Sequence, residues 1–245
     1  MMNVNRTLLI TAVFVLIVIG TASQCATVSF SGYNWAVRSS GRGGPGPNYW
    51  DPSNVWVDTN RFLHLRLTQR EGKWYCAELH TQERLGFGRY DFWLTGPVDK
   101  LDQNVVLGLF NYPTGDVGRD GTHEIDIEFA QWGNLSAPIG NYTVWPATNG
   151  VRRETKSFAF TLTGDSSKHS FTWTATNIVF ESHEEHGGDS TRQLAAWVFQ
   201  PTNPAARISQ KAMPIHINLW CFKGQPPSDG KQVELIVRAF KFTPL

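Results

Sequence analysis

Three carboxylic acids occupy alternate positions in one short stretch of this 245-residue sequence, where residues 122–129 read THEIDIEF. Successive side chains of a β-strand point to opposite faces, so Glu124, Asp126 and Glu128 share one face and the intervening apolar residues share the other. A strand with one solvated face is the ordinary explanation of such alternation. Like charges at neighbouring sheet positions repel each other, however, so fold stability gives no reason to place three acids together.

Crowded carboxyl groups suit the hydrolysis of a glycosidic bond. One of them must be ionised to attack the sugar, and another must hold a proton for the leaving oxygen. Repulsion between the groups raises a pKa and so helps to keep that proton in place. The stretch therefore predicts a carboxylate-based active site on one face of a strand.

The six residues EIDIEF at 124–129 resemble the active-site signature of glycoside hydrolase family 16, which includes endo-β-glucanases and transglycosylases. The resemblance implies that Glu124 is the nucleophile, that Glu128 is the general acid/base and that Asp126 hydrogen-bonds the nucleophile. One residue separates Asp126 from Glu128, which is similar to lichenases and xyloglucan transglycosylases, whereas laminarinases usually have one more. The resemblance also implies a curved β-sandwich that carries the signature on its concave sheet.

Further motifs extend this resemblance, in matching order, from about Trp50 to the C-terminus. Residues 76–81 (CAELHT) and 86–90 (GFGRY) are similar to the paired strands that precede the active site in the family. Residues 217–220 (INLW) resemble its Asn-Leu-Trp strand. His123 departs from the pattern, because lichenases usually have Asp before the nucleophile. This departure leaves the carboxylate chemistry intact but leaves the sugar specificity open.

The positions of side chains along the neighbouring strands give candidates for binding the sugar. Asn218 and Trp220 share one face of their strand, and Glu78 and His80 share one face of theirs. Trp50 precedes an Asp-Pro turn and could reach the rim of the cleft. Packing in the core is the alternative explanation for Trp220, and packing within a loop is the alternative for Trp50.

The elements that must position these residues are β-strands. Short runs rich in β-branched and aromatic residues, bounded by Gly, Pro, Asn and Asp, recur along the chain, and no long helical period follows residue 24. The pattern predicts an all-β sandwich or barrel, and the resemblance narrows this to a concanavalin A-like jelly roll of two curved antiparallel sheets. Besides the signature, strands are predicted at 27–31, 54–58, 62–68, 74–81, 88–94, 105–110, 142–145, 157–162, 170–174, 178–182, 193–199, 215–222 and 233–242.

Composition limits the classes of partner. The 22 basic and 21 acidic residues give a net charge of +1, which gives no support for a nucleic acid or an anionic membrane as partner.

We expect one catalytic domain, residues 25–245, to act as a monomer and without a cofactor on a polysaccharide. The expected activity is that of a retaining endo-glycosidase on a β-linked, β-glucan-like chain. A transglycosylase of cell-wall glycan and a non-catalytic glycan-binding sandwich are the alternatives.

Retention sets a condition on the geometry of the signature. The two carboxyl groups of a retaining enzyme lie about 5–5.5 Å apart. Residues four apart on a flat strand, such as Glu124 and Glu128, have Cα atoms roughly 13 Å apart. We therefore expect the strand to bend, so that the two side chains lean together.

Residues 183–186, His-Glu-Glu-His, could suggest a metal site together with Asp189. They lack a recognised ligand spacing, and Gly187 and Gly188 favour a charged hairpin loop between two strands. We therefore expect no metal.

Residues 1–24 have the features of a secretory signal, with Arg6 before an apolar run and small residues after it. The run, from Leu8 to Ile19, is shorter than the about 20 residues that a membrane span needs. We expect a mature chain that begins near Gln24 or Cys25 and is secreted or held in the periplasm or cell envelope. A retained anchor, or a lipoprotein linked through Cys25, is the alternative.

Three cysteines leave at least one without a partner in the chain. Cys76 shares a face with Glu78, whereas Cys221 faces away from Trp220. If Glu78 and Trp220 both face a cleft, the two sulfurs point to opposite sides of the sheet, and a disulfide needs converging Cβ atoms. The sequence thus predicts no disulfide between Cys76 and Cys221, and we interpret Cys25, Cys76 and Cys221 as structural or incidental.

Overall fold

A computed structural model describes residues 26–186 and 191–245. The predicted signal segment with Cys25, and the hairpin tip at 187–190 with Asp189, lie outside the described residues. Within the described ranges, no helix has both the length and the apolar character needed to cross a membrane.

The described residues are almost entirely β-structure. The only α-helix among them, α1, spans Pro204–Arg207, and three short 3₁₀ turns span Pro52–Asn54, Val98–Lys100 and Phe222–Gly224. The strands are β1 (Thr27–Phe30), β2 (Tyr33–Val37), β3 (Gly41–Gly43), β4 (Asn48–Trp50), β5 (Val55–Val57), β6 (Leu63–Arg70), β7 (Lys73–Thr81), β8 (Gly88–Thr95), β9 (Val105–Asn111), β10 (Ile125–Phe129), β11 (Gly140–Val144), β12 (Glu154–Phe158), β13 (Ser166–Trp173), β14 (Ile178–Glu185), β15 (Thr191–Phe199), β16 (Ile215–Cys221) and β17 (Val233–Pro244).

Antiparallel pairing arranges these strands in two sheets. The front sheet has the order β1-β2-β7-β16-β9-β10-β11-β12. The back sheet has the order β5-β6-β17-β8-β13-β14-β15. The hairpin of β6 and β7 joins the two sheets, since the end of β6 pairs with the start of β7. This topology confirms the predicted all-β jelly roll.

The core lies between the two sheets and is rich in aromatic rings. Phe129 of β10 meets the His169 ring of β13 at 4.6 Å between ring centroids. Tyr142 of β11 stacks on Phe180 of β14 at 4.8 Å. Because the apolar side chains of β10 face this core, its acids must project from the outer face of the front sheet.

Short and exposed strands differ most from the prediction. A strand was expected at 157–162, but β12 lies at Glu154–Phe158, where the first four residues are exposed and give no apolar alternation. Gly41–Gly43 and Asn48–Trp50, where no strand was predicted, pair with each other. The prediction also missed β2. Strands of three to five residues are too short for periodicity to identify.

Cys76 and Cys221 are unpaired, as predicted, but the geometry behind that prediction is wrong. Their thiols lie within hydrogen-bonding reach, and this bond together with burial raises the pKa of Cys76. The front-sheet pairing of β7 with β16 covers only Ala77 to His80, while the start of β7 pairs with β4 and β6. Face alternation fails where β7 changes sheets, because Cys76 and Ala77 are both buried.

Candidate active site

The three acids of the signature line the floor of a cleft of about 770 Å³ on the outer face of the front sheet. Their strand, β10, is held between β9 and β11. Glu128 lies opposite Gly108 of β9 and Asn141 of β11. Because β10 has a partner strand on each side, the backbone beneath Asp126 and Glu128 is fixed, while Glu124 comes just before the strand.

A left-handed residue turns the chain into β10. His123 has a φ of +66°, a conformation that residues other than glycine rarely adopt. Its Nδ1 shares a hydrogen bond of 3.1 Å with Ser209 Oγ, and its backbone N donates to the Pro146 carbonyl at 3.0 Å. The Glu124 carbonyl accepts from the Trp145 backbone N at 2.8 Å. These bonds anchor both sides of the turn and set the direction of the Glu124 side chain.

Asp126 is the most deeply buried of the three acids, with 2% of its surface exposed. One carboxyl oxygen accepts from Trp145 Nε1 at 2.9 Å, and the Arg153 guanidinium lies 4.4 Å above the Trp145 ring. The other oxygen accepts no hydrogen bond from the described protein groups, and the Asp126 carboxyl group interacts with that of Glu124. Two carboxyl groups in such a buried contact are satisfied only when one of them is protonated.

Burial raises the pKa of all three acids. It raises the pKa of Glu124 to about 8, although a hydrogen bond from Asp126 opposes the rise, and the charge of Glu128 adds to it. The charge of Glu124 further raises the pKa of Asp126, and the charge of Asp126 does the same for Glu128. Arg153 lowers the pKa of each. Because Asp126 donates to Glu124, Glu124 is the member of that pair that ionises first.

Glu128 makes no hydrogen bond within the described residues, and its carboxyl group lines the cleft. Beside it, Gly108 leaves room for Asn218, since a Cβ at position 108 would lie 2.6 Å from Asn218 Oδ1. Asn218 is 4% exposed, and its Oδ1 has no partner in the described part of the chain. A buried acceptor without a donor is costly, so this oxygen is available to a ligand hydroxyl.

Glu78, on β7, lines the cleft next to Asn218, on the side away from Gly108. Burial alone would raise its pKa, but His216 and Arg38 hold that pKa below its usual value. Arg38 Nη1 donates to Glu78 at 2.7 Å, and His216 Nδ1 shares a 3.1 Å bond with it. His80 stacks on His216 at 4.8 Å and does not itself line the cleft. Glu78 is therefore an ionised hydrogen-bond acceptor rather than a proton donor.

Of the two tryptophans predicted to contact sugar, only Trp220 lines the cleft. Trp50 is 2% exposed, and its Nε1 donates to the Gly43 carbonyl at 3.1 Å. The prediction that Trp50 reaches the rim is wrong, because pairing of β3 with β4 folds its ring inwards. The ring instead supports Arg38, whose guanidinium lies 3.9 Å from its centre.

Sequence reasoning missed most of the remaining cleft wall. Trp145 could have been found, because it shares a face with Thr143 in a strand that was predicted at 142–145. His216 could also have been found, because it shares the face of β16 that carries Asn218 and Trp220. Together the missed cleft residues include Arg38, Phe110, Tyr112, Asp120, Trp132, Trp145, Arg153, Thr155, His216 and Phe222.

The His-Glu-Glu-His stretch lies in the predicted hairpin, but its first three residues belong to strand β14 rather than to the expected loop, since Glu185 at the end of β14 pairs with Thr191 at the start of β15. Glu184 is buried and accepts from the Gly164 backbone N at 2.8 Å and from Arg192 Nε at 3.0 Å. It therefore secures a neighbouring turn. In the described ranges, no group of three or more His, Cys, Asp or Glu is arranged to hold a metal ion.

Comparisons with known proteins agree with this architecture. A sequence profile for glycosyl hydrolases family 16 matches residues 47–233. A search of curated proteins finds no match.

Three solved structures illustrate the similarity of fold. The β-glucanase of Bacillus licheniformis is 21% identical, with a TM-score of 0.62 over 92% of this chain and 100% of that chain. A β-1,3-glucanase from Mycobacterium marinum is 18% identical, with a TM-score of 0.63 over 91% and 92%. An immunostimulatory antigen and pseudo β-1,3-glucanase of Mycobacterium tuberculosis is 20% identical, with a TM-score of 0.62 over 86% and 91%. At these identities the likeness shows the fold alone.

Proposed function

The chain belongs to glycosyl hydrolase family 16, and from this premise we propose that it is a retaining endo-glycosidase that hydrolyses a β-linked glucan. One observation carries the proposal: Glu124, Asp126 and Glu128 lie together, with raised pKa values, on the floor of an open cleft. Two of the structural neighbours are β-glucanases, which favours a glucan as the polysaccharide.

Glu128 is the proposed acid. In the first step it donates its proton to the glycosidic oxygen while the Glu124 carboxylate attacks the anomeric carbon, which gives a covalent glycosyl ester and frees one half of the chain. In the second step Glu128, now a carboxylate, takes a proton from a water molecule that attacks the same carbon and releases Glu124. Two inversions leave the anomeric configuration unchanged.

The surroundings of the acids bear on these roles. Burial raises the pKa of Glu128 and so favours the protonated form that an acid catalyst requires. The hydrogen bond from Asp126 lowers the pKa of Glu124 and so favours the ionised form that a nucleophile requires, although burial still holds that pKa at about 8. Asp126 keeps its second oxygen on Trp145 Nε1, so it can hold Glu124 in place while charge is lost and regained. The retaining mechanism requires the two carboxyl groups to lie about 5–5.5 Å apart, and the turn at His123 gives Glu124 the freedom to lean toward Glu128.

Polar groups on the β7 side of the acids are suited to bind sugar hydroxyls. The free Oδ1 of Asn218 can accept a hydroxyl, and so can the ionised Glu78. Asn218 is on β16, which lies between β9 and the strand β7 that carries Glu78. A glucan that crosses these strands would reach the acids with several of its hydroxyls already bound.

The test compares hydrolysis of soluble β-1,3- and mixed-linkage β-glucans by wild type, Glu124→Gln and Glu128→Gln. We expect both variants to lose at least about 10²- to 10⁴-fold in kcat, the range for general acid–base catalysis. Glu71→Gln, in the exposed turn between β6 and β7, is the matched control and should behave as wild type. Early products followed by NMR should carry the β-anomer, and an initial α-anomer would exclude a retaining mechanism.

Azide separates the two roles. With Glu128→Ala, azide should react with the trapped ester and give a β-glycosyl azide, whereas with Glu124→Ala it should attack directly and give the α-product. Exchanged anomers would show that the roles are reversed.

Products longer than the substrate in the presence of acceptor sugars would indicate a transglycosylase. Binding of glucan without turnover by the wild type would indicate a glycan-binding protein.

A further inference from the structure

A second pocket, of about 390 Å³, opens outside the cleft and is lined in part by the hairpin of β6 and β7. Its volume falls within the range of small-molecule sites, about 300–1,000 Å³. None of its lining residues lines the cleft. We call this second pocket the distal pocket. Its lining residues include Pro47, Tyr49, Gln69, Trp74, Gly224 and Pro226.

Two loops separate the distal pocket from the cleft. In the first loop, Pro45 lines the cleft and Pro47 lines the distal pocket. In the second loop, Phe222 lines the cleft and Gly224 lines the distal pocket. The two loops are in contact, since a Cβ on Gly224 would lie 2.8 Å from Pro47 Cγ. A glucan chain that leaves the cleft past Phe222 and crosses these loops would therefore reach the distal pocket.

Hydrogen bonds fix the walls of the distal pocket. The Asn48 amide donates to the Pro45 carbonyl at 2.7 Å and to the Cys221 carbonyl at 2.9 Å, so it ties the two loops together. Asn104 Nδ2 donates to the Pro226 carbonyl at 2.8 Å. Because its walls are already ordered, the distal pocket binds a ligand with a smaller loss of conformational entropy than a mobile loop would.

Trp74 supplies a flat apolar face to the distal pocket. It is half-buried on β7 and lies opposite Gln69 of β6. Within the described part of the chain, no other ring stacks on Trp74, and neither its Nε1 nor the Gln69 amide has a hydrogen-bond partner. By contrast, Trp35 and Trp173 each donate from Nε1 to a backbone carbonyl at 3.0 Å. An apolar face beside unused donors suits a ligand that combines C–H and O–H groups.

The charge of the lining favours a neutral ligand. Among the described residues that line the distal pocket, Lys73 alone is charged, and its ammonium lies 5.4 Å over the Tyr49 ring. The Tyr49 hydroxyl has no hydrogen-bond partner in the described ranges. The distal pocket thus offers a flat apolar surface with a hydroxyl, an amide and an indole N–H. A neutral sugar, which has an apolar C–H face and a rim of hydroxyls, fits this combination.

We propose that the distal pocket is a second glycan-binding site, which holds one or two sugar units of a β-glucan chain outside the cleft. The identity of the ligand rests on the proposed function, but the binding needs none of the catalytic acids. Trp74 packs against the C–H face of a pyranose ring, and Gln69 and Tyr49 hydrogen-bond its hydroxyls. Because a chain held at two sites is released only when both let go, the distal pocket keeps the protein on long or insoluble glucan.

The first test counts binding sites without hydrolysis. A β-glucan trisaccharide is titrated by calorimetry into Glu124→Gln protein, where we expect two binding events, and into the same protein with Trp74→Ala, where we expect one. Asn218→Ala, in the cleft, should instead weaken the other event. Trp56→Ala is the matched control and should keep both events, since Trp56 is half-buried on the back sheet and stacked on His64. A single event in Glu124→Gln protein, or two events after Trp74→Ala, would overturn the proposal.

A second variant separates binding from folding, because Trp74 also packs partly against the core. Gln69 is exposed, so Gln69→Ala should leave Tm unchanged while Kd at the distal pocket rises roughly three- to tenfold, the size of a lost hydrogen bond. In otherwise wild-type protein, Trp74→Ala and Gln69→Ala should each leave kcat and KM for the trisaccharide unchanged and reduce retention on insoluble β-glucan.

The outcomes distinguish the distal pocket from the proposed function. Unchanged retention in both variants, with glucan hydrolysis intact, would reject the distal pocket and leave the proposed function standing. Loss of retention in both variants of a protein that hydrolyses no glucan would reject the proposed function and support the distal pocket. Retention on polygalacturonate in place of β-glucan would show that the ligand is anionic and would overturn the assignment to a neutral sugar.

Discussion

The carboxyl groups that the proposed mechanism needs should weaken the fold at the pH where they would act. The pKa of Glu124 is raised from 4.5 to about 8, so the folded protein binds more protons than the unfolded chain between these values. Stability must therefore fall as pH rises through this window. We predict that Glu124→Gln raises Tm at pH 8 and leaves it nearly unchanged at pH 4, measured by calorimetry against Glu71→Gln. An equal effect at both pH values would contradict the raised pKa.

Trp145 should act on the reaction through Asp126. Trp145→Phe keeps an aromatic ring beneath Arg153 but removes the Nε1 donor. In the wild type, the hydrogen bond from that donor lowers the pKa of Asp126. We predict that kcat falls roughly ten- to hundredfold, the equivalent of a hydrogen bond to a charged group of about 1.5–3 kcal/mol, with little change in KM. The pH–rate profile should also shift, which a purely structural role would not cause. Trp56→Phe provides the control, and an unmoved profile would show that Asp126 is positioned without Trp145.

Alternation along strands placed the key acids correctly from sequence, because β10 and the middle of β16 are regular and fully paired. Glu124, Asp126, Glu128 and Asn218 therefore line the cleft as expected. It failed for Trp50, whose direction depends on a three-residue hairpin that carries no periodic signal. Arg153 comes from a loop, so only the tertiary structure could bring it to the acids.

At the level of the elements, a glycine on β9 leaves the space that a polar side chain of β16 occupies. Gly108 on β9 lies beside Asn218 on β16 and opposite Glu128 on β10. We predict that Gly108→Ala displaces Asn218, because the added Cβ would lie 2.6 Å from its Oδ1. Overpacking of this kind costs about 1–3 kcal/mol, and KM should rise as well.

The control for Gly108→Ala is Gly86→Ala, where the new Cβ would meet its nearest neighbour, Ala212 Cβ, at an ordinary 3.8 Å. Both changes are measured by chemical unfolding and by glucan hydrolysis. If Gly108→Ala had the stability and KM of the control, Asn218 would not be held by this contact.

The individual strands also show which parts of the fold could be predicted from the sequence and which could not. Long strands such as β6, β7 and β16 were evident in the sequence because apolar residues recur at alternate positions, and β9 was evident as a continuous apolar run. The change of β7 from one sheet to the other could not be predicted from alternating residues, since this change depends on the partner strands β4 and β6. The error for Cys76 and Cys221 followed directly from that change.

For the molecule as a whole, the two sheets are joined through their aromatic core and through the β6–β7 hairpin. The all-β class could be predicted because strands recur along the whole chain. The order of strands within the sheets could not be predicted from the sequence, since several pairings join segments far apart, as β17 does with β6 and β8.

Because Cys76 and Cys221 are buried in contact with each other, chemical labelling of their thiols can show when the junction between the two sheets opens. Both are completely buried where β7 passes between the sheets, and the raised pKa of Cys76 leaves its thiol protonated at neutral pH. Because thiol reagents react with the exposed thiolate, labelling should wait until this junction separates. In protein with Cys25→Ser, we predict no labelling by a chromogenic disulfide reagent in native buffer and two labels per chain in denaturant. The labelling rate below the unfolding midpoint would then time the separation of the two sheets, whereas prompt labelling of native protein would show that the junction is loose.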